Sequence, residues 1–272
     1  MSLQAVVYNA KVENIPLLTS LGFDLQNDLI SLDPADPNGY AWDMAADIND
    51  RQSILTFTEE LIPLAASRHQ NQEFWFTVAR NILDAVIVSF RDAARHAGNE
   101  PTWTLRDLQQ ALATPEALAD VLRHHDKPDD IRAYYFDGLS DAARLTICHT
   151  AYLHIAPLAE VAERWSMAQQ RGRTISMKDW VKGCDRSVLV LPLAPTHEKP
   201  SFRPLNRAIL GLLTRILLDE TNEQPRQRYF FLENVGQAAE FEQLERLVAE
   251  GRSFGISVVL DPQLNGKGAE PA

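Results

Sequence analysis

Apolar residues in this chain follow two different periods. Near the start, and again after residue 186, they come in short runs with little polar alternation: Ala5-Val6-Val7-Tyr8, Leu29-Ile30-Ser31-Leu32, Val188-Leu189-Val190-Leu191, Tyr229-Phe230-Phe231-Leu232 and Ile256-Ser257-Val258-Val259-Leu260. Such runs suit parallel strands buried on both faces. From about Asn49 to Trp180 the period changes to that of helices. Phe74, Trp75, Val78, Ile82, Val86 and Phe90 fall close to one face of a helix over residues 71 to 97. Thr102-Trp103-Thr104-Leu105 and Thr114-Pro115-Glu116-Ala117 read as helix starts, the second with Pro at the first helical position. Residues 140 to 167 form a further long helical stretch.

After residue 187 the predicted order is strand, helix (204 to 219), strand (229 to 232), helix (238 to 250) and strand (256 to 260). Short strands alternating with helices mean right-handed crossovers and a parallel sheet. Two β pieces standing alone would each be too small to cover a sheet. The expected architecture is therefore one α/β core split in sequence, residues 1–50 and 183–272, with an all-α domain inserted over residues 51–182. The strands near 5–9, 188–192, 229–232 and 256–260 should share one parallel sheet. Asp33-Pro34-Ala35-Asp36-Pro37-Asn38-Gly39 is dense turn chemistry closing the second apolar run.

With 272 residues, 45% of them apolar, the chain can bury a substantial core. The formal net charge of −11 argues against a surface that binds nucleic acid all over, and leaves room for a local basic patch. Residues 163 to 186 are such a patch. Arg164, Arg171, Arg173, Lys178, Lys182 and Arg186 outnumber Glu163, Asp179 and Asp185. Arg171, Arg173 and Lys178 are the candidate contacts to a DNA backbone, whose phosphates drive binding without sequence preference. The plainer reading of the same residues is a solvated basic loop.

Cys148 and Cys184 are too few for a disulfide framework and fit a reducing compartment. Cys148-His149 has no partner pair at zinc spacing and reads as a buried structural thiol. His124-His125-Asp126 reads as surface residues, since neighbours on a helix point different ways. Phe74, Trp75, Phe76 and Phe90 read as packing inside the helical domain, because a base-stacking platform would want interleaved Lys or Arg. No run of about 18 apolar residues exists to span a membrane. Met1-Ser2-Leu3-Gln4 runs straight into a strand without a signal-peptide pattern, and the expectation is a piece of a longer protein.

The candidate chemistry lies at strand ends. Tyr229-Phe230-Phe231-Leu232-Glu233-Asn234 is an apolar strand ending in a carboxylate, followed by a helix and a second apolar strand. Ligands of open α/β sheets bind at the carboxyl ends of strands. Glu233 there can coordinate Mg²⁺, a hard cation that favours oxygen; its plainer role is a helix cap or solvated acid. The next position, where a second carboxylate would orient an attacking water, is Asn234, whose amide takes up no proton. Arg252, in a loop before a strand, can reach phosphates across a subunit interface or simply pair with Glu250. Gln263, beyond the last strand, can sense a γ-phosphate through its amide or remain a solvated loop residue.

These motifs, in this order, resemble the coupling proteins of conjugative type IV secretion systems (the TraD/TraG kind). Ala5 to Lys11 resembles the family's strand after the phosphate loop. Leu32-Asp33-Pro34 and Trp42-Asp43-Met44-Ala45-Ala46-Asp47-Ile48 resemble its Trp-Asn/Asp-Pro-Leu-x-x-Ile signature before the all-α insert. Phe74-Trp75 and Ser176-Met177-Lys178-Asp179-Trp180 resemble the two ends of that insert. Leu232-Glu233-Asn234-Val235 stands where the family has Leu-Asp-Glu-Phe, Gly251-Arg252-Ser253-Phe254-Gly255 matches its Gly-Arg-x-x-Gly, and Gln263 falls where a later strand ends in glutamine.

The resemblance implies a RecA-like parallel-sheet nucleotide-binding core, truncated at the phosphate-loop side, with an inserted all-α domain. It implies ATP and Mg²⁺ as cofactors of the parent proteins, and none bound by this chain. Implied partners are relaxase or relaxosome proteins, secretion-channel proteins, weakly bound single-stranded DNA and a homo-hexamer of the full-length parent. The implied location is the cytoplasmic face of the bacterial inner membrane. Three departures stand out. G-x-x-x-x-G-K-[ST] is absent, Gly266-Lys267-Gly268 lacking its first glycine and hydroxyl. Asn9 replaces the usual aspartate, and Glu233-Asn234 replaces Asp-Glu. They define an alternative: a non-catalytic recruitment scaffold on a degenerate motor fold.

Overall fold

The computed structural model describes residues 3–8, 15–24, 26–62, 70–130, 137–183, 186–191, 202–219, 226–233 and 242–261. Asn9, Lys11, Cys184, Asn234, Gln263 and Gly266 to Gly268 lie outside them, as does the side chain of Glu233.

The first apolar run forms β1 (Leu3–Tyr8), followed by α1 (Ile15–Ser20), β2 (Leu29–Ser31) and β3 (Ala41–Trp42). The helical segment comprises α2 (Met44–Asp47), α3 (Arg51–Leu61), α4 (Gln70–His96), α5 (Leu105–Ala111), α6 (Pro115–Leu122), α7 (Asp141–Ile155) and α8 (Ala159–Gln170). The chain returns through β4 (Thr174–Ile175), α9 (Met177–Lys182), β5 (Ser187–Leu191), α10 (Arg203–Leu218), β6 (Gln227–Glu233), α11 (Glu242–Glu250) and β7 (Ile256–Asp261).

β1, β2, β5, β6 and β7 make one five-stranded sheet in the order β2-β5-β1-β6-β7, with every pairing parallel. The four strands expected to share a sheet do so, and Leu29–Ser31 adds an edge. Val6 faces Leu189 on one side and Phe230 on the other. All three are buried, which is why β1 carries no polar alternation after Gln4.

Helix boundaries follow local chemistry. Asp50 caps α3 and Thr104 caps α5, each in a reciprocal capping box. Thr114 caps α6 with Pro115 behind it, as expected. The long helix expected over residues 140 to 167 is broken instead into α7, a 3₁₀ turn Ala156–Leu158 and α8. Pro157 sits in that turn; its ring and missing N–H interrupt the α-helical ladder.

One extended cluster of buried side chains runs from Val6, Leu189 and Phe230 in the sheet, through Leu212 and Leu213 of α10 and Phe57 of α3, to Ile82 and Val86 of α4 and Ala151 of α7. The aromatic packing expected along α4 holds only in part. From Ala79 onward the stripe is buried at Ile82, Leu83, Val86 and Ile87, and Phe90 stacks on Trp103. Phe74 and Trp75 are exposed, Phe74 at 62%, and pack edge-to-face on each other. They lie in the first turns of α4, before the stripe meets its partners.

Candidate functional site: the strand ends and the junction with the helical segment

Two acids end neighbouring strands. Glu233 of β6 stands in register with Asp261 of β7 at the carboxyl edge of the sheet. Residue-by-residue reading of the sequence missed Asp261, because only strand pairing reveals that it is level with Glu233.

The Gly251-to-Gly255 motif has a backbone reason for each glycine. Gly251 is buried against Ile256, and a Cβ there would lie 3.2 Å from the Ile256 Cβ. Gly255 has φ +75°, the left-handed region that residues with a Cβ enter only at a cost. Between them a 3₁₀ turn presents Arg252 to solvent, while Gly255 passes directly into β7.

The best-built polar constellation lies where the helical segment leaves the sheet layer and returns. Ala41 and Trp42 pair in parallel with Thr174 and Ile175, a small ribbon that the apolar pattern does not reveal. Asp47, fully buried, follows β3 by one short helix. Its carboxylate accepts from Trp42 Nε1 (2.6 Å), Ser176 Oγ (2.8 Å), Met177 N (2.7 Å) and Lys178 N (3.0 Å). The two sequence motifs at the ends of the helical segment thus meet on one carboxylate. Burial pushes that carboxyl above the ordinary carboxylate range, against the pull of its four donors.

Asp47 sits at the N-terminus of α9, and two arginines sit at its C-terminus. Arg226 Nη1 donates to the carbonyls of Val181 (3.1 Å), Lys182 (2.9 Å) and Gly183 (2.7 Å). The buried Arg228 donates to Val181 O (3.1 Å) and to Gln4 Oε1 (3.0 Å), and Gln4 in turn donates to Trp180 O. A carboxylate at the positive end and guanidinium groups at the negative end complement the helix dipole.

The three candidate DNA-contacting cations are engaged within the chain. Arg171 Nη1 donates to Pro37 O (3.2 Å), and Arg173 to Asn38 O, with its guanidinium over the Tyr40 ring. Both pin the turn after β2. There Gly39 is obligatory, since a Cβ would lie 2.8 Å from Asp33 O. Lys178 turns toward α2, its Nζ donating to Asn49 Oδ1 (2.7 Å) and Ala46 O (3.2 Å). Partial burial lowers its pKa. Arg171 remains exposed and Arg173 half-exposed.

Two readings of single residues resolve differently. Cys148 is the buried thiol expected; its Sγ donates to Leu112 O (3.1 Å), and burial pushes its pKa up to about 11. His125 is not a surface histidine. α6 ends at Leu122, so helical divergence does not apply, and the following turn folds His125 inward toward Asp92 of α4.

Among the described residues, no helix is long and apolar enough to cross a membrane. The family described as type IV secretion-system coupling protein DNA-binding domain matches residues 22–267. Solved structures of bacterial coupling proteins share the fold. The plasmid coupling protein TrwB in complex with ADP and Mg²⁺ is 18% identical, with a TM-score of 0.59, covering 94% of this chain and 62% of its own. The trigonal form of the bacterial conjugative coupling protein TrwBdeltaN70 with sulphate is 17% identical, with a TM-score of 0.61, covering 96% and 63%. TrwB with the ATP analogue ADPNP is 15% identical, with a TM-score of 0.61, covering 94% and 62%. The chain therefore spans less than two thirds of the length of these proteins. No curated protein matches it. The fold is the one expected, a RecA-like α/β parallel sheet with an all-α insertion.

Proposed function

The chain belongs to the type IV secretion-system coupling protein DNA-binding domain family, and from that premise we propose that it is part of a DNA-transfer coupling protein. In this reading the whole protein delivers single-stranded DNA, with its relaxase or relaxosome proteins, to a secretion channel from the cytoplasmic face of the inner membrane. It works there as a homo-hexameric ring. The observation that carries the reading is the family match over residues 22–267, which includes both motifs that meet at Asp47. The sheet core over 1–50 and 183–272 belongs to the motor, and residues 51–182 face the relaxosome.

ATP and Mg²⁺ belong to the whole protein. The neighbours solved with ADP and Mg²⁺ and with ADPNP support this, as does the carboxyl edge bearing Glu233, followed by Gln263, with Arg252 before β7. Bound there, the nucleotide and ion would supply the phosphoryl chemistry. The part of this chain is to hold Mg²⁺ at Glu233 and phosphate at Arg252 and Gln263. By itself the chain is hydrolytically inactive, since Asn234 offers no acid–base group and no G-x-x-x-x-G-K-[ST] stretch cradles phosphates. Calorimetry of the chain with Mg-ATP should show neither micromolar affinity nor turnover above a buffer blank; either result would remove this part of the reading.

DNA contact is assigned to Arg171 and Arg173, with Lys178 behind them. Single-stranded DNA should bind no more tightly than roughly 10⁻⁴ to 10⁻⁶ M, without sequence preference and with steep loss in salt. The net charge of −11 repels the polyanion, so the patch acts within about 8 Å at physiological salt. Replacing Arg171 and Arg173 together with Ala should lower the salt slope by about 1 for each lost phosphate contact. Undiminished binding in the double variant would move the DNA contact elsewhere. A second reading, a recruitment scaffold without chemistry, is favoured by Glu233-Asn234 standing where the family has Asp-Glu. It predicts binding of relaxosome protein with no DNA affinity at all.

A further inference from the structure

Asp92 lies on α4 and is only 3% exposed, a carboxylate taken out of water between helices. Such a charge has to be compensated. Arg91 compensates one oxygen, with Nη2 at 3.1 Å and Nε at 3.2 Å from Asp92 Oδ1. The other oxygen, Oδ2, accepts only one hydrogen bond among those the structure describes, from Asp126 N at 3.1 Å. A carboxylate oxygen has a second lone pair to offer. That oxygen faces the turn after α6, where one nitrogen of His125 and one oxygen each of Asp92 and Asp126 lie within 4.8 Å of one another.

The His125 ring shows a second irregularity. Its Nδ1 lies 2.9 Å from Asp126 Oδ1 and 3.0 Å from the Lys127 N–H. A ring nitrogen of neutral imidazole either donates or accepts. If Nδ1 accepts from Lys127 N–H, no proton separates it from the carboxylate oxygen, and two electron-rich atoms stand at contact distance. If it carries a proton toward Asp126, the Lys127 N–H points at another N–H. A cation bound by both atoms removes the repulsion between imidazole and carboxylate, and takes up the lone pair otherwise offered to the Lys127 N–H.

We propose that Asp92, His125 and Asp126 bind a divalent metal ion of the zinc class, completed by water, that pins the turn after α6 to α4. Imidazole with carboxylates is a donor set for zinc-like transition metals, whereas magnesium and calcium favour all-oxygen sites. Three protein ligands plus water is a coordination zinc accepts. Ligand atoms about 2.0–2.2 Å from a tetrahedral ion stand about 3.3–3.6 Å apart. The three donor atoms lie within 4.8 Å of one another, and side-chain rotation brings them to that spacing. Arg91 takes the outer role, holding Asp92 Oδ1 so that Oδ2 points to the ion.

The test is titration of the full chain with Co²⁺ alone and with Zn²⁺ alone at neutral pH. One ion should bind per chain, Co²⁺ should develop a visible ligand-field band, and Zn²⁺ but not Mg²⁺ should abolish it. His125→Ala and Asp126→Asn should each weaken binding by at least about tenfold, and the rise in melting temperature with Zn²⁺ should vanish in both. Asp126 is largely exposed, so its variant keeps the test decisive if His125→Ala fails to fold. No visible band with the native chain, or binding equal in native chain and variants, overturns the site and leaves His125 and Asp126 as a hydrogen-bonded turn.

Discussion

Asp47 gathers four donors from both ends of the helical segment: an indole, a hydroxyl and two backbone amides. A buried donor left without an acceptor costs about 1–3 kcal/mol, part of it recoverable by water. Asp47→Ala is therefore expected to lower stability by about 3–5 kcal/mol, read as a shift of the urea midpoint. Asp47→Asn should lose only part of that, because the amide oxygen still accepts from two of the donors and carries no desolvated charge, while its NH2 group faces the other two. Equal losses in the two variants would mean that the ionic form matters more than the acceptor. Half-buried His154 packs its ring edge-to-face on Phe76, 5.0 Å between centroids, and burial lowers its pKa below the ordinary 6.5. A depressed histidine stabilises above its unfolded value, and that contribution is lost as pH falls through its folded value. Melting temperature should thus fall as pH drops below about 6.5, and His154→Phe should flatten that part of the profile.

At the scale of elements, α9 is six residues long and would not persist alone. It persists because each end is held: Asp47 and Ser176 at the first turn, Arg226 and Arg228 at the last carbonyls. Arg226→Ala removes a half-buried guanidinium from three carbonyls, and should cost about 1–2 kcal/mol. Amide exchange should then accelerate in residues 177 to 183 before it does in β1 or β5. Uniform acceleration across the sheet would show instead that α9 is not a separate unit. Gly255 belongs to the same scale. Gly255→Ala forces a Cβ into the left-handed region at the start of β7, costing about 1–2 kcal/mol.

For the molecule as a whole, the buried cluster is continuous from the sheet through α10 and α3 to α4 and α7. α3 packs on α10, the crossover helix between β5 and β6. Cooperativity follows shared core surface, so thermal unfolding should be a single transition with equal calorimetric and van't Hoff enthalpies. Two resolved transitions would mean that the helical segment folds as an independent unit.

The parallel sheet was legible in the chain because strands buried on both faces must be apolar without alternation, as β1, β5 and β6 are, whereas β7, equally apolar in sequence, lies at the sheet edge and leaves Val259 and Leu260 exposed. The order of motifs was legible too, since the Trp42-to-Ile48 and Ser176-to-Trp180 stretches carry cap and turn residues that work locally. Sequence alone also supplied the strand-end acid Glu233 and the glycines flanking Arg252. What it did not carry were relations between residues far apart in the chain. The β3–β4 ribbon has only two residues per strand, too short for any period to register. Asp47 looks like an ordinary helical acid until Ser176 and Met177, about 130 positions on, close over it. His125 looks solvated until the turn after α6 meets Asp92. Periodicity reports which face of an element is apolar; only the packed structure decides which polar groups that burial forces together.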